Sequence, residues 1–273
     1  FSVLIGTWDR IELLLKLIGH YRESPLVEKI YVTWHNPNAA VPSVLLELGR
    51  ADNTTTTPQP PVEILPQRTN SLNNRFNPIA GLDTKAVLIV DEDVRIPIKD
   101  LALAFRTWRL HPESLTGFFP RRHRKRANGD WDYLLDVKDG YDMMLTKGMF
   151  IDAEMLFAYT CLLPLSIHAY VDRMRNCEDI AFNMLASGLT GKMGFSRSSP
   201  LFIALVLTPS TVMSNIDDFG TSGISSASGH LESRQSCLGD LIALFGRDNL
   251  VSNDLMITRI KEVPVHFKSL DHW

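Results

Sequence analysis

The stretch that decides the fold is Ala86–Ile96, AVLIVDEDVRI, in which the apolar run Ala86–Val90 leads straight into Asp91, Glu92 and Asp93. A run that is apolar at every position suits a strand covered on both faces, as in a parallel sheet between helix layers. In open sheets of that kind ligands bind beyond the carboxyl ends of the strands, which is where these acids stand. Adjacent carboxylates repel one another unless a cation or hydrogen bonds offset them, and hard divalent ions prefer oxygen ligands. A metal-bridged diphosphate fits such a corner. The plain alternative is a solvated acidic turn before a helix that begins near Pro97.

Outward from this stretch the same alternation repeats. FSVLIG (Phe1–Gly6) is strand-like, and Ile11, Leu14, Leu15 and Ile18 then recur at helical spacing. EKIYVTW (Glu28–Trp34) precedes helical AVPSVLLELGR (Ala40–Arg50), VEILP (Val62–Pro66) adds a short strand, and helical IKDLALAFRTWRLHP (Ile98–Pro112) follows the acids. The pattern predicts an α/β fold with a mainly parallel central sheet flanked by helices. Further on, strand-like TGFFP (Thr116–Pro120) and YDMML (Tyr141–Leu145) flank the basic, aromatic PRRHRKRANGDWDY (Pro120–Tyr133), which reads as a loop beside a cleft. Helices are expected over Ala153–Thr160, Leu165–Arg175 and Glu178–Ser187, then an apolar run, PLFIALVL (Pro200–Leu207). GTSGISSASGH (Gly220–His230) reads as a mobile loop, because glycine and serine impose little backbone preference.

The 273 residues, 45% hydrophobic and 22% charged, are enough to bury a large core. A net charge of -3 and a pI near 6.3 exclude the strongly basic footprint of a nucleic-acid or anionic-membrane binder. No stretch approaches the roughly 18 apolar residues of a membrane span. Phe1 opens on a strand-like run and not on the charged region of a signal peptide, so any signal or anchor would lie outside this chain. Cys161, Cys177 and Cys237 form no CxxC pair, which argues against structural zinc and leaves room for one disulfide and one spare thiol. The sequon Asn53-Thr54-Thr55 lies in a polar stretch suited to glycosylation. SGLTGKMG lacks P-loop spacing, no GxGxxG follows the first strand, and neither GxSxG nor HExxH occurs. In RNCEDIAFN (Arg175–Asn183), Glu178 and Asp179 fall in the first turn of a helix, where carboxylates meet the positive end of its dipole; capping is the plain reading of them.

TWDR, VTWHN, NSLNNRF, VLIVDED, GFFPRRH, YDMMLTKGMFI, NCEDIAFN and GHLESRQSC, in this order, resemble blocks of the exostosin glycosyltransferase domain, glycosyltransferase family 64, over Phe1 to about Phe245. GTSGISSASGH and SLNNRF resemble the plant and algal branch. The resemblance implies a single GT-A domain over 1–273, with a nucleotide-sugar half (1–120) and an acceptor half (121–273). It implies retaining transfer of a hexose or N-acetylhexosamine, GlcNAc or mannose, from a UDP- or GDP-sugar to a glycan or glycolipid. Mn²⁺, with Mg²⁺ as substitute, is the implied cofactor. Asp93 would be the metal ligand, and Asp91 and Glu92 would face the ribose and the ion's water shell. Thr7, Arg10, Asn36, Asn70 and Arg75 match donor contacts. Asp179, with Glu178, matches the acids beneath the donor sugar and near the acceptor hydroxyl, and Arg234 the basic residue that approaches the leaving diphosphate. Arg121, Trp131 and His230 are candidate acceptor contacts. Cys177 and Cys237 match a pair disulfide-bonded in relatives, a link of about 4 kcal/mol on the loop-entropy model. The implied setting is the Golgi or endoplasmic-reticulum lumen behind a type II anchor, with homo- or hetero-oligomers as partners. Rival readings are a non-catalytic exostosin-like subunit or glycan-binding protein, and a sugar nucleotidyltransferase, whose glycine- and lysine-containing loop is missing after the first strand.

Overall fold

A computed structural model describes residues 1–49, 59–192, 205–208 and 230–258. The first half runs β1 (Ser2–Thr7), α1 (Ile11–Arg22), β2 (Lys29–Trp34), α2 (Ser43–Leu48), β3 (Val62–Pro66), a 3-10 turn (Leu72–Phe76), β4 (Ala86–Asp91) and α3 (Ile98–Leu110). Then come β5 (Thr116–Gly117), β6 (Pro120–Lys125), β7 (Trp131–Leu134), β8 (Met143–Met144), β9 (Gly148–Asp152), α4 (Glu154–Phe157), a π turn (Ala158–Leu162), α5 (Leu165–Met174), α6 (Glu178–Lys192), β10 (Leu205–Thr208), α7 (His230–Phe245) and β11 (Met256–Thr258).

The main sheet has the order β11-β10-β5-β9-β4-β1-β2-β3. Its pairings are parallel except for β9, which lies antiparallel between β4 and β5. Leu4, Val87 and Ile89 pack on one face against Val171, Ile180 and Leu241, from α5, α6 and α7. Val3, Ile5, Leu88 and Val90 pack on the other against Leu14 and Leu17 of α1 and Leu101 and Trp108 of α3. Burial on both faces is why the β4 run is apolar throughout, and each such side chain contributes about 1.5–3 kcal/mol.

The chain leaving β4 is fixed as soon as it has passed the acids. The Val94 amide donates to the Asp91 carbonyl (3.1 Å). On the α1 side, the Tyr21 hydroxyl donates to the Val94 carbonyl (3.0 Å), and His20 Nε2 bonds the Ile96 carbonyl (2.7 Å). Glycine is required at Gly117, where a Cβ would lie 2.7 Å from the Gly148 carbonyl oxygen; β5 and β9 approach too closely there for a side chain.

The basic segment is not a loop. β6 and β7 pair antiparallel from Arg122–Leu134 to Lys125–Trp131, closed by a turn with Gly129 at φ 94°. Asn128-Gly129 is a dipeptide that favours such turns. Its charges are also largely paired: Arg124 and Arg126 both grip Asp132, Arg122 meets Asp139 (3.2 Å), and His123 lies 2.8 Å from both Asp142 and Asp248. The helix expected over Ala153–Thr160 runs four residues as α4 and then loosens into the π turn. Among the described residues no single helix is long and apolar enough to cross a membrane; α4 with its π turn and α5 pass together on length and composition, bent by 94°. Asn53 and Gly220–Gly229 lie outside the described residues, as does all of the Pro200–Leu207 run except its last three residues, which form part of β10.

Candidate active site

Asp91 ends β4 beside Gly6 of β1, and β1 ends one residue later at Thr7. Arg10, in the loop between β1 and α1, places Nε 2.6 Å from Glu92 Oε1 and a terminal nitrogen 3.6 Å from Asp93 Oδ2. Glu92 is therefore turned inward, 5% exposed, and its Oε2 is buried without a hydrogen bond. Burial raises its pKa, while Thr7 and Arg10 oppose the shift. The Thr7 hydroxyl is likewise buried and makes no bond of normal geometry, so its effect on Glu92 is one of proximity. Asp91 and Asp93 stay half-buried, and Asp93 is raised by burial and by the Asp91 charge.

A single guanidinium joins this corner to the second acidic cluster. Arg75, on the 3-10 turn, donates to Asp91 (2.7 Å), Glu178 (3.3 Å) and the Thr146 hydroxyl (2.5 Å). Glu178 and Asp179 open α6 and are 6% and 2% exposed. Burial and the adjacent Asp179 push Glu178 up to about 7, against the pull of Arg75 and Arg234. Arg234, on α7, donates to Asp179 (2.6 Å) and to the Tyr133 hydroxyl (2.9 Å), and its guanidinium lies 5.2 Å from the centre of the Tyr133 ring.

The backbone before α6 is unusual. Arg175 (φ 50°) and Cys177 (φ 73°) are non-glycine residues in the left-handed region, a conformation that costs about 1–3 kcal/mol each and clusters at functional sites. The surroundings enforce it. Cys177 is bonded to Cys237 of α7 across 60 residues of sequence, as expected, and the Asn176 side chain accepts from the Cys177 amide (2.8 Å). Cys161 is free and exposed. Asn183, one turn along α6, bonds both the amide and the carbonyl of Met144 at 2.8 Å and so holds β8 against α6.

The structure thus brings together Arg10, Arg75, Asp91, Glu92, Asp93, Glu178, Asp179 and Arg234. Asn36 is half-exposed just after β2, where its side chain accepts from the Asn38 amide (3.1 Å), and Asn70 is exposed just before the Arg75 turn. Arg121, on β6, has a buried Nε without a partner and donates to the Pro120 carbonyl (2.7 Å). Trp131 stacks on His123 at 5.2 Å with Lys125 5.5 Å from its ring centre. His230 begins α7, and its side chain lies outside the described residues. Tyr133 and Thr146, partners of Arg234 and Arg75, lie inside PRRHRKRANGDWDY and YDMMLTKGMFI, where the motif reading gave them no role, and the contacts that recruit them are made across the fold.

The Glycosyl transferase family 64 domain matches residues 1–261. Glycosylinositol phosphorylceramide mannosyl transferase 1 of Arabidopsis thaliana is 31% identical over 262 residues, covering 92% of this chain and 74% of that protein. Exostosin-like 2 of Mus musculus is 30% identical over 269 residues, covering 95% and 76%. Glycosyltransferase family protein 64 C3 of Arabidopsis thaliana is 37% identical over 193 residues, covering 68% and 58%. The sheet that ends in acids bridged by arginines is therefore that of a glycosyltransferase. The chain is a member of glycosyltransferase family 64.

Proposed function

We propose that this protein is a retaining, Mn²⁺-assisted glycosyltransferase that moves a hexose or N-acetylhexosamine, GlcNAc or mannose, from a UDP- or GDP-sugar onto a glycan or glycolipid. The observation that carries this reading is the Arg75 bridge, which brings the acids at the end of β4 and those that open α6 into one site. In the donor half, residues 1–120, Thr7, Arg10, Asn36, Asn70 and Arg75 receive the nucleotide. In the other half, Arg121 and Trp131 receive the acceptor.

A divalent ion fits this corner, although among the described residues no set of three or more His, Cys, Asp or Glu side chains is arranged to hold one alone. The site gathers five carboxyl groups (Asp91, Glu92, Asp93, Glu178, Asp179) against three guanidiniums (Arg10, Arg75, Arg234); Lys147 beside Asp93 and partial protonation of Glu178 near pH 7 reduce the excess of negative charge. Asp93, which Arg10 reaches only at 3.6 Å, is the carboxylate that would hold the ion. When bound, the ion supplies Lewis-acid neutralisation of the leaving diphosphate.

The chain's own residues do the rest. Arg234 presents a fixed cation where charge builds as the glycosidic bond breaks, an effect of preorganised electrostatics. Asp179 underlies the donor sugar and stabilises positive charge at its reacting carbon. Its pairing with Arg234 weakens it as a nucleophile, which supports same-face attack by the acceptor over a covalent adduct. Glu178, held near neutral acidity, orients a sugar hydroxyl. The disulfide supports work in an oxidising lumen such as the Golgi.

A panel of UDP-GlcNAc, UDP-GalNAc, UDP-Gal, UDP-GlcA and GDP-Man tests the reading. Slow hydrolysis of one donor, strengthened by Mn²⁺ and reduced about 100-fold or more in Arg234→Ala, is expected. No hydrolysis of any donor would favour a non-catalytic member of the family.

A further inference from the structure

Arg75 sits on a 3-10 turn of five residues, Leu72–Phe76, too short to hold its shape alone. Its geometry must come from what grips it. On the helix side the grip centres on Asp172 of α5, whose Oδ1 accepts from the Ser71 hydroxyl and from Asn73 Nδ2 (2.9 Å). With the Ser71 hydroxyl proton directed at Asp172, the same oxygen is free to accept from the Asn73 amide (3.1 Å), which caps the turn. Tyr159 donates to Asn73 Oδ1 (2.7 Å) and Thr160 to the Phe76 carbonyl (2.7 Å), so the far end is pinned as well.

His35, directly after β2 and 9% exposed, belongs to the sheet and not to this grip. Its amide donates to the Thr7 carbonyl (2.9 Å) and its Nε2 lies 2.9 Å from Thr33 Oγ1. The ring also fills the space above Gly6, where a Cβ would come within 3.3 Å of Nε2. Burial, and then the nearby Arg75 charge, lower His35 to about 4, so the imidazole is neutral near pH 7 and adds no charge beside Arg75.

We propose that Asp172 is a positioning residue that grips the Ser71 cap and Asn73 from α5 and thereby sets Arg75 across Asp91 and Glu178. Its own bonds go to Ser71 and Asn73, not to the acids that Arg75 bridges. Three residues lie between Ser71 and Arg75, and a shift of the turn by about 1 Å would break hydrogen bonds of this length. This rests on the donor-site reading for its effect on ligand binding, but not for its effect on Arg75 itself.

The test combines crystal structures and nucleotide binding for Asp172→Ala and Asp172→Asn. In Asp172→Ala, Arg75 should leave Asp91, and calorimetry with Mn²⁺ plus UDP or GDP should show affinity weakened about 10- to 100-fold, the scale of such misplacements. Asp172→Asn, whose amide oxygen can still accept from Ser71 and Asn73, should restore much of the affinity. An Arg75 still bonded to Asp91 and Glu178 in Asp172→Ala, or an Asp172→Asn variant no better than Asp172→Ala, would overturn the proposal. Failure of the wild type to bind either nucleotide would overturn the donor-site reading instead, while the crystal structures still decide the question of positioning.

Discussion

Glu178 carries the sharpest expectation at the scale of one residue. Its pKa rises from 4.5 to about 7, through burial first and the Asp179 charge second. The folded state therefore binds more protons than the unfolded chain between those values, and stability falls as pH rises through that window. Glu178→Gln should flatten this fall and be at least as stable as the wild type at pH 7, as read by urea unfolding at pH 5, 6, 7 and 8. A wild type whose stability is level or rising across that range would contradict the assigned burial. The acids themselves were legible in the sequence, because a strand that ends in carboxylates is a local pattern. Their counter-charges were less so. Nothing in WDYL or LTKG marks Tyr133 or Thr146 as partners of arginines 101 and 71 residues away, and the inward turn of Glu92 depends on Arg10 across 82 residues.

Elements show the same division between local and distant causes. The β4 run, the α1 periodicity and the helix opened by Glu178 follow from spacing alone, and the structure contains all three. The β6–β7 hairpin was hidden because its strands carry charge, not apolar alternation. Only Asn128-Gly129 marked it, and Asp132, Asp139, Asp142 and Asp248 supply the pairing that makes charged strands tolerable. His123 binds this hairpin to the segment after α7. Burial alone would lower its pKa, but Asp142 and Asp248 raise it to about 9. That contribution to stability is fully present below pH 6.5 and lost as pH rises through 9. Asp248→Asn should reduce the difference in urea stability between pH 6 and pH 10; an unchanged difference would show that the pair does not form in solution. The Cys177–Cys237 link, between α6 and α7, should contribute about 2–4 kcal/mol. Cys237→Ser is expected to lose that much in urea unfolding and to reduce turnover, because the link holds the elements that carry Asp179 and Arg234.

At the scale of the whole molecule, the parallel strands β1, β2 and β4 were legible from their continuous apolar runs, while β11 and the antiparallel insertion of β9 were not. A strand buried on both faces reads alike in either direction, and GMFID contains nothing that sets its sense. Through β9, β10 and β11 the second half of the chain completes the sheet begun by the first, and Arg75 joins the acids of β4 to those of α6. That corner is proposed to hold a divalent ion together with a nucleotide diphosphate. Calorimetric titration of UDP and GDP into wild-type protein and Asp93→Ala, each with Mn²⁺ and with a chelator, tests it most directly. Mn²⁺-dependent binding of at least one nucleotide, weakened about 100-fold or more by the substitution, is predicted. Equal affinity under all four conditions, or no binding in any, would contradict it.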